Sequence, residues 1–312
     1  MTRISFVIPC YCSEKTIPIV IEEIHSIMRG NTGYDYEIIL VNDFSPDSVY
    51  KVISDLAQID MRIKGIDLAK NFGQHSALMA GYGAAQGDIV VSLDDDGQIP
   101  LENVFELIKK IEDGYDVVYA SFENNVRGGF RTFGTRMNDI MANILLQKPK
   151  ELHITSFFAM KKFVCEEIIR YQSPYPYVSG LVLRTTKNVC NISMKQRARL
   201  MGASGYNFHK LLSLWLNGFT AFSIKPLRIA TIAGAFCAFM GFLFGVWVII
   251  RKLCHPEILA GYSSMVALLL FIGGVIMLML GLIGEYIGRI YICINQSPQY
   301  VVRQTINIDQ DE

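Results

Sequence analysis

Residues 88 to 98 read Asp88-Ile89-Val90-Val91-Ser92-Leu93-Asp94-Asp95-Asp96-Gly97-Gln98. A short β-branched apolar run that leads directly into three carboxylates is typical of a buried parallel strand and the loop at its end. Open α/β sheets bind their ligands where the strands end. Adjacent carboxylates repel one another, which favours a divalent cation with oxygen ligands, often shared with the phosphates of a nucleotide. The alternative is a solvated acidic turn, whereas an EF-hand loop is a poor match because Ser92 breaks its ligand spacing.

The chain around this strand alternates between strand and helix patterns up to residue 120. The predicted strands cover residues 4–9, 36–41, 63–68, 89–93 and 116–120. The predicted helices cover residues 16–28, 74–85 and 101–112, and a further helix is predicted to start at Ser45-Pro46-Asp47, with a capping hydroxyl and an early proline. Such alternation predicts an α/β domain with a mostly parallel sheet and right-handed crossovers.

Polar side chains follow three of these predicted strands. They are Tyr11 and Glu14 after the first strand, Asp43 after the second, and Asp94 and Asp96 after the fourth. A parallel sheet brings such strand ends together on one edge. We therefore expect these side chains to form one site.

Composition narrows the class of protein. The chain has 312 residues, and its 29 Lys and Arg residues balance its 29 Asp and Glu residues, so no bulk charge attracts nucleic acid and no nucleic-acid partner is predicted. The seven cysteines form no CxxC pair, which favours a reducing compartment over a disulfide framework or a zinc site.

Two long apolar runs in the last third of the chain predict a membrane protein. They cover about residues 230–250 and 266–287, and a helix of about 21 residues spans roughly 31 Å, enough for the bilayer core. A short connection predicts a hairpin with both ends on one side of the membrane. The basic residues Lys225, Arg228, Arg289 and Arg303 favour the cytosol for that side, although Arg251 and Lys252 lie on the other.

Four regions follow from this pattern. Residues 1–204 form the cytosolic domain, with a helix at about 130–146 that either faces the core or lies on the membrane surface. Residues 205–228 form an interfacial amphipathic segment, residues 229–288 the two transmembrane helices, and residues 289–312 a cytosolic tail. The tail is polar and acidic after Gln304, and we expect it to be disordered there.

Several motifs carry a resemblance to a known family. Residues 8–14, 41–47, 71–74 and 93–98 resemble the family 2 GT-A glycosyltransferases. Residues 211–228 and 281–291 resemble the membrane module of the polyprenyl-phosphate glycosyltransferases, of the dolichol-phosphate mannose synthase and undecaprenyl-phosphate sugar transferase type. The resemblance covers nearly the whole chain and implies a Rossmann-like GT-A sheet domain followed by interfacial helices and a two-helix transmembrane hairpin.

The resemblance also implies roles for individual residues. Asp94, Asp96 and Gln98 would be catalytic, and Asp94 and Asp96 would hold Mg²⁺ or Mn²⁺ on the pyrophosphate of the donor. The nucleotide would be bound by Pro9, Tyr11, Glu14, Asp43, Lys70 and Asn71. The acceptor phosphate would be met by Arg127, Arg131, Arg197 and Arg199. A nucleoside diphosphate leaving group gains negative charge as its bond to the sugar breaks, and a metal offsets that charge.

The sequence departs from the family at one place. Where the family often carries Gly-Asp-Phe-Arg, this chain has Thr155-Ser156-Phe157-Phe158. A phosphate acceptor has a second pKa of about 6 and is already mostly dianionic at neutral pH, so it needs no carboxylate base. We therefore expect Ser156 to act as a spacer or a minor hydrogen-bond donor.

The implied function is sugar transfer from a nucleotide sugar, expected to be a UDP-sugar, to polyprenyl phosphate. The enzyme would be anchored in the plasma membrane, with its catalytic domain on the cytosolic face, and would supply lipid-linked sugar for modification of cell-envelope glycans. One alternative is a polysaccharide synthase, although residues 196–200 do not match the Gln-x-x-Arg-Trp motif of that class. Another is an inactive GT-A membrane scaffold. The sequence identifies neither the sugar nor the oligomeric state, and a homo-oligomer is compatible with it.

Overall fold

The computed structural model describes residues 1–122, 152–195, 197, 262–295 and 297–308, together with individual positions between 232 and 254. The chain divides into two compact units. The first contains Met1–Tyr206 and Gln296–Glu312, and the second contains Asn207–Asn295. The predicted helix at 130–146 and the predicted interfacial segment at 205–228 lie outside the described residues.

Strands and helices alternate between residues 2 and 122 of the first unit, and two further helices lie one after the other between residues 162 and 185. The strands are β1 (Thr2–Cys10), β2 (Tyr34–Asn42), β3 (Ile63–Leu68), β4 (Ile89–Ser92), β5 (Val117–Phe122), β6 (Phe158–Lys161), β7 (Val189–Met194) and β8 (Val302–Ile306). The helices are α1 (Ile17–Arg29), α2 (Val49–Ile59), α3 (Gln74–Gly83), α4 (Val104–Glu112), α5 (Lys162–Ile169) and α6 (Val178–Thr185). A 3-10 turn at Leu101–Asn103 precedes α4.

Within the described ranges, the eight strands form one sheet in the order β7-β5-β6-β4-β1-β2-β3-β8. β1 runs parallel to both β2 and β4, and β2 runs parallel to β3. The predicted α/β fold with a mostly parallel sheet is confirmed. Two strands depart from it, because β6 runs antiparallel between β4 and β5, and β8 runs antiparallel to β3.

Apolar side chains of the sheet alternate between two cores. Ile4, Phe6 and Ile8 of β1 pack with α1, α2 and α4, whereas Val7 packs with α3, α5 and α6. This alternation is the two-residue period of a strand that is covered on both faces. Helix α3 approaches the sheet closely at Gly81, where a Cβ atom would lie 2.4 Å from Cγ1 of Val7.

A buried carboxylate joins three strands at the opposite end of the sheet from the acidic run. Glu37 of β2 has no exposed side-chain surface, and its carboxylate accepts a hydrogen bond from Ser5 Oγ (2.6 Å) and pairs with Lys64 Nζ (2.8 Å). Arg3 Nη2 (3.1 Å) and the backbone N–H of Gln86 (2.7 Å) complete its contacts. Burial raises the pKa of Glu37, but the contacts with Lys64, Ser5 and Gln86 outweigh it, so the pKa lies below its ordinary value.

The predicted helix start at Ser45 is wrong, because α2 begins at Val49. Ser45 instead belongs to the connection between β2 and α2. Its Oγ accepts a hydrogen bond from Cys12 N (2.7 Å) and donates one to Asp47 Oδ1 (2.5 Å). The hydroxyl joins the loops after β1 and β2 and does not cap a helix.

The prediction of disorder after Gln304 is also wrong for residues 305–308, since β8 continues to Ile306 and residues 307 and 308 are described after it, whereas residues 309–312 lie outside the described residues. At the far end of this strand, Asn307 Nδ2 donates hydrogen bonds to the carbonyl oxygens of Ala57 (2.7 Å) and Ile63 (2.9 Å). Upstream of β8, Gln299 Nε2 donates to the carbonyl oxygens of Tyr171 and Ser173. Backbone pairing and amide side chains hold this polar segment, which is why its hydropathy gives little sign of a strand.

The second unit contains the long helix α7 (Tyr262–Ile294). Its 33 residues span about 50 Å, so it is longer than the predicted run at 266–287. Within it, Phe271–Gly288 is long and apolar enough to cross a membrane, and it is the one such segment among the described residues. The positions described between 232 and 254 are helical.

Candidate active site

The ends of β1, β2 and β4 meet at one edge of the sheet, as predicted. The backbone N–H of Tyr11, just after β1, donates a hydrogen bond to Asp95 Oδ2 (3.0 Å) after β4. The backbone N–H of Glu14 donates to Asp47 Oδ2 (3.1 Å), and the Glu14 carboxylate accepts from Ser48 N (3.0 Å). These bonds join the loops that carry the predicted site residues.

Asp43, at the end of β2, supports a neighbouring loop. Its carboxylate accepts hydrogen bonds from the backbone N–H groups of Phe72 (2.7 Å) and Gly73 (2.9 Å). Asn71 Nδ2 donates to its carbonyl oxygen (3.2 Å). Burial raises the pKa of Asp43, and the two N–H groups oppose this rise. The contact depends on Gly73, whose φ of 89° is accessible mainly to glycine.

The other predicted nucleotide-binding residues lie around this loop. Lys70 Nζ lies 4.9 Å from the centroid of the Phe72 ring, an arrangement typical of a cation–π contact. Pro9 is buried in β1, in register with Val41. Their roles toward a nucleotide stay predictions.

Asp94 is the most enclosed carboxylate of the acidic run. Gln74 Nε2 donates a hydrogen bond to its Oδ1 (2.8 Å), and Ser156 Oγ donates to its Oδ2. The pKa of Asp94 is raised to about 6, chiefly by burial and also by the charges of Asp96 and Asp95, against the lowering effect of the hydrogen bonds from Ser156 and Gln74. Both donors are neutral, so they orient the carboxylate without balancing its charge.

The other two carboxylates are held by nearby backbone and amide groups. Asp96 accepts hydrogen bonds from the backbone N–H of Gln98 (3.1 Å) and from Gln98 Nε2 (2.9 Å). Burial raises the pKa of Asp95, and the hydrogen bond from Tyr11 N opposes that rise. Asp94, Asp95 and Asp96 thus concentrate negative charge at the end of β4.

This donor set fits a hard divalent cation that arrives with phosphates. Among the residues that the structure describes, no three His, Cys, Asp or Glu side chains form a preformed metal cage. Mg²⁺ is commonly bound by one or two carboxylates together with substrate phosphates and water. The oxygen atoms of Asp94 and Asp96 have the chemistry for that arrangement, and the unbalanced charge favours it.

Of the four arginines predicted at the acceptor phosphate, the structure describes Arg197. Arg127, Arg131 and Arg199 lie outside the described residues. The guanidinium of Arg197 pairs with Glu23 (2.7 Å) and with Glu102. These carboxylates already balance its charge, so the structure offers no support for an acceptor role of Arg197.

The sequence did not predict that two residues of the site, Gln74 and Ser156, contact the carboxylates. Gln74 lies at the start of α3, and Ser156 lies two residues before β6, yet both donate to Asp94. Of the two alternatives predicted for Ser156, a spacer or a hydrogen-bond donor, the structure shows a donor to Asp94. The signal for Gln74 was its place in the Asn71–Gln74 motif, but sequence spacing alone does not show which carboxylate it meets.

Comparison with protein families gives two matches. The model described as glycosyl transferase family 2 matches residues 5–169, and the model described as the GtrB C-terminal hairpin matches residues 225–290. Together they cover most of the sheet domain and the two apolar runs.

Curated relatives match over almost the full chain. An uncharacterized glycosyltransferase, YkcC, of Bacillus subtilis is 35% identical over 98% of this chain and 94% of its own length. A bactoprenol glucosyl transferase of Shigella phage SfII is 32% identical, over 97% of this chain and 98% of its own. An undecaprenyl-phosphate 4-deoxy-4-formamido-L-arabinose transferase of Proteus mirabilis is 30% identical, over 99% of this chain and 95% of its own.

Solved structures share the fold at lower identity. Glucosyl-3-phosphoglycerate synthase from Mycobacterium tuberculosis, in complex with Mn²⁺ and UDP-glucose, gives a TM-score of 0.54 at 19% identity, over 70% of this chain and 77% of that one. Mannosyl-3-phosphoglycerate synthase from Rubrobacter xylanophilus gives 0.54 at 15% identity, over 73% of this chain and 74% of that one.

Proposed function

The chain belongs to glycosyl transferase family 2. We propose that it transfers a sugar from a nucleotide sugar to polyprenyl phosphate. The relatives named for bactoprenol and undecaprenyl phosphate support this acceptor, because they match nearly the whole chain. The observation that carries the catalytic part is the meeting of Tyr11, Asp43 and the Asp94–Asp96 run at one edge of the sheet. The product would be a lipid-linked sugar for modification of cell-envelope glycans.

A UDP-sugar with Mg²⁺ or Mn²⁺ is the donor that we propose. A related fold has been crystallised with Mn²⁺ and UDP-glucose. Asp94 and Asp96 would hold the cation, which would offset the charge that develops on the nucleoside diphosphate leaving group. Gln74 and Ser156 keep Asp94 in place, and Gln98 keeps Asp96 in place.

The acceptor needs no proton to be removed before it attacks. A phosphate monoester is mostly dianionic at neutral pH, since its second pKa is about 6. Its oxygen forms the new bond to the anomeric carbon, and the bond from that carbon to the nucleoside diphosphate oxygen breaks. The described residues around Asp94 are consistent with this, because Ser156, which stands where the family motif described above often has an acid, is a hydroxyl donor to Asp94.

Replacing Ser156 by alanine is expected to lower the transfer rate by no more than about tenfold, which is ~1.4 kcal/mol of barrier. One neutral hydrogen bond to Asp94 is lost while that from Gln74 remains. Initial rates with saturating donor would measure the change. Thr155→Val is the matched control, since the Thr155 hydroxyl donates to Ala120 O and not to Asp94. A loss of a thousandfold with donor binding intact would show that the Ser156 hydroxyl takes part in the chemistry.

The experiment that tests the function uses the full-length protein in detergent. Radiolabelled UDP-glucose, UDP-galactose and UDP-N-acetylglucosamine would each be incubated with undecaprenyl phosphate and Mn²⁺. We expect one of them to give a radiolabelled lipid that is extracted into organic solvent. Failure with all three donors, and with GDP- and deoxythymidine diphosphate sugars, in protein that is folded by circular dichroism would favour the inactive scaffold.

We also propose that residues 225–290 form a two-helix hairpin in the plasma membrane, with the catalytic domain on the cytosolic face. The family match to a hairpin over these residues supports this, as does the length of α7. Strand β8 supports it independently. The chain leaves the first unit after Tyr206 and belongs to it again from Gln296, so the segment between them must cross the membrane an even number of times.

Reporter fusions would test this topology. Alkaline phosphatase fused after Glu312 is expected to be inactive and a fluorescent protein at the same point to be fluorescent, because both report a cytosolic end. Phosphatase inserted after Pro256, between the two apolar runs, is expected to be active. An active phosphatase at Glu312 would contradict the hairpin.

A further inference from the structure

Arg303 occupies an irregular position in β8. Asp67 of β3 pairs with Gln304, but Leu68 pairs with Val302, so Arg303 is an extra residue at this step of the ladder. Such β-bulges bend a strand locally and redirect a side chain, often beside an active site. Here the redirected side chain belongs to a strand that follows the membrane segment in the sequence.

The guanidinium of Arg303 contacts three groups at the ends of β2 and β3. Its Nη2 donates a hydrogen bond to the carbonyl oxygen of Ala69 (3.0 Å), and its Nη1 lies 3.5 Å from Asp67 Oδ2. Its Cζ lies 5.2 Å from the centroid of the Phe44 ring. One cation therefore meets a carboxylate, a carbonyl and an aromatic face.

These contacts lead directly to the predicted nucleotide-binding residues. Phe44 follows Asp43 and has a φ of 53°, a left-handed conformation that is costly for an aromatic residue and marks functional sites. Asp67 also accepts a hydrogen bond from Asn42 Nδ2 (2.7 Å), on the other side of Asp43. Arg303 thus contacts Phe44 directly and Asn42 through Asp67, and these two residues flank Asp43.

We propose that Arg303 is a positioning residue for the nucleotide of the donor. By holding Phe44 and the segment from Asp67 to Ala69, it fixes Asp43 and the following loop, Asn71–Gly73, in the shape that binds the nucleotide. This inference rests on the proposed function for the presence of a nucleotide donor. It assigns a role in donor binding to the strand that follows the membrane segment.

Binding of the nucleotide alone separates this role from catalysis. In full-length protein with Mn²⁺, Arg303→Ala is expected to weaken UDP binding by about tenfold, because a charged hydrogen-bonding group is removed. Arg303→Lys should recover part of the affinity, since it keeps the charge beside Asp67 but not the planar stack on Phe44. In transfer assays with UDP-glucose, or with another donor sugar found active above, the KM for the donor should rise by a similar factor while kcat changes by less than about twofold.

Asn307→Gly is the matched control. It removes two hydrogen bonds that anchor β8 at the end away from Asp43, and glycine accepts the left-handed φ of 55° at that position. We expect UDP binding to be unchanged in this variant. Equal weakening in Arg303→Ala and Asn307→Gly would mean that Arg303 only anchors the strand, and it would overturn the inference.

A second variant, Phe44→Leu, and two further nucleotides, GDP and deoxythymidine diphosphate, cover the remaining outcomes of the experiment. If Arg303→Ala does not fold, Phe44→Leu replaces it, because this variant removes the ring under the guanidinium. We expect Phe44→Leu to weaken UDP binding several-fold. Unchanged UDP binding in Phe44→Leu, or in a folded Arg303→Ala, would overturn the inference. If the wild type binds UDP but transfers no sugar, the proposed function fails and the inference is still judged on binding. If the wild type binds none of UDP, GDP and deoxythymidine diphosphate, both fail.

Discussion

Asp96→Asn is expected to reduce sugar transfer by about a thousandfold or more, roughly 4 kcal/mol of barrier, while the protein stays folded. Asparagine has the shape of aspartate, so the turn held by Gln98 can persist. It carries no charge, and the cation that would be bound with Asp94 loses one of its two proposed anionic ligands. The variant stabilises the charge on the departing nucleoside diphosphate less well. We therefore expect kcat to fall more than the affinity for the acceptor.

Transfer of radiolabelled sugar to undecaprenyl phosphate and Mn²⁺ binding by electron paramagnetic resonance would measure both effects. Asp88→Asn is the matched control, since Asp88 precedes the other end of β4 and accepts a hydrogen bond from Arg3 N (2.9 Å). It should keep nearly the wild-type rate. Wild-type turnover in Asp96→Asn, or full activity of the wild type in excess chelator, would rule out the metal site.

The second large effect concerns stability. Glu37→Gln is expected to lower the free energy of unfolding by about 3 kcal/mol, because it leaves the buried ammonium of Lys64 without its negative partner. Hydrogen bonds from Ser5 and Gln86 to the side chain do not replace the lost charge. Chemical denaturation of the full-length protein in detergent, followed by circular dichroism, would measure the loss.

Two variants show whether the effect comes from the buried pair. Asp35→Asn removes an exposed carboxylate from the same strand, 3.6 Å from Arg3, and is expected to cost less than about 0.5 kcal/mol. The double variant Glu37→Gln with Lys64→Met should recover much of the stability, because it removes the unpaired charge. A double variant that is less stable than Glu37→Gln would contradict this explanation.

The sign of the pH dependence follows from the lowered pKa of Glu37. A carboxylate whose pKa is lower in the folded state stabilises the fold above its ordinary pKa of about 4.3, and this contribution is lost as the pH falls through the folded pKa. The wild type should therefore lose more stability than Glu37→Gln as the pH falls from about 5 to well below 4.

Much of the sheet is predictable because its central strands are buried on both faces. The apolar runs of β1 to β4 need no tertiary information, and β3 occurs at the predicted residues 63–68. Strand β6 has only four residues and is followed at once by α5, so its pattern is too short to recognise. Strand β8 is held by backbone pairing and by Asn307, and its polar sequence resembles that of a tail.

The sequence predicts those residues of the site that directly follow predicted strands. Parallel topology alone brings Tyr11, Asp43 and Asp94 to one edge, and the hydrogen bonds confirm that Tyr11 meets the acidic run. The supporting donors Gln74 and Ser156 come from a helix start and a loop whose distances from Asp94 depend on the packed fold. Arg303 depends on a bulge in a strand that hydropathy does not show.

The position of β8 has a consequence for how the protein is made. The edge of β3 that β8 covers belongs to a sheet whose other described strands all lie before residue 195, whereas β8 begins at Val302. During synthesis the first 200 residues can fold while that edge is still unpaired, and the ribosome must then make the apolar segment before Val302 exists. The sheet is completed only after Val302–Ile306 has been made. If the apolar segment inserts into the membrane as proposed, completion of this sheet follows that insertion in time, and a chain interrupted before Val302 would lack both the edge strand and Arg303.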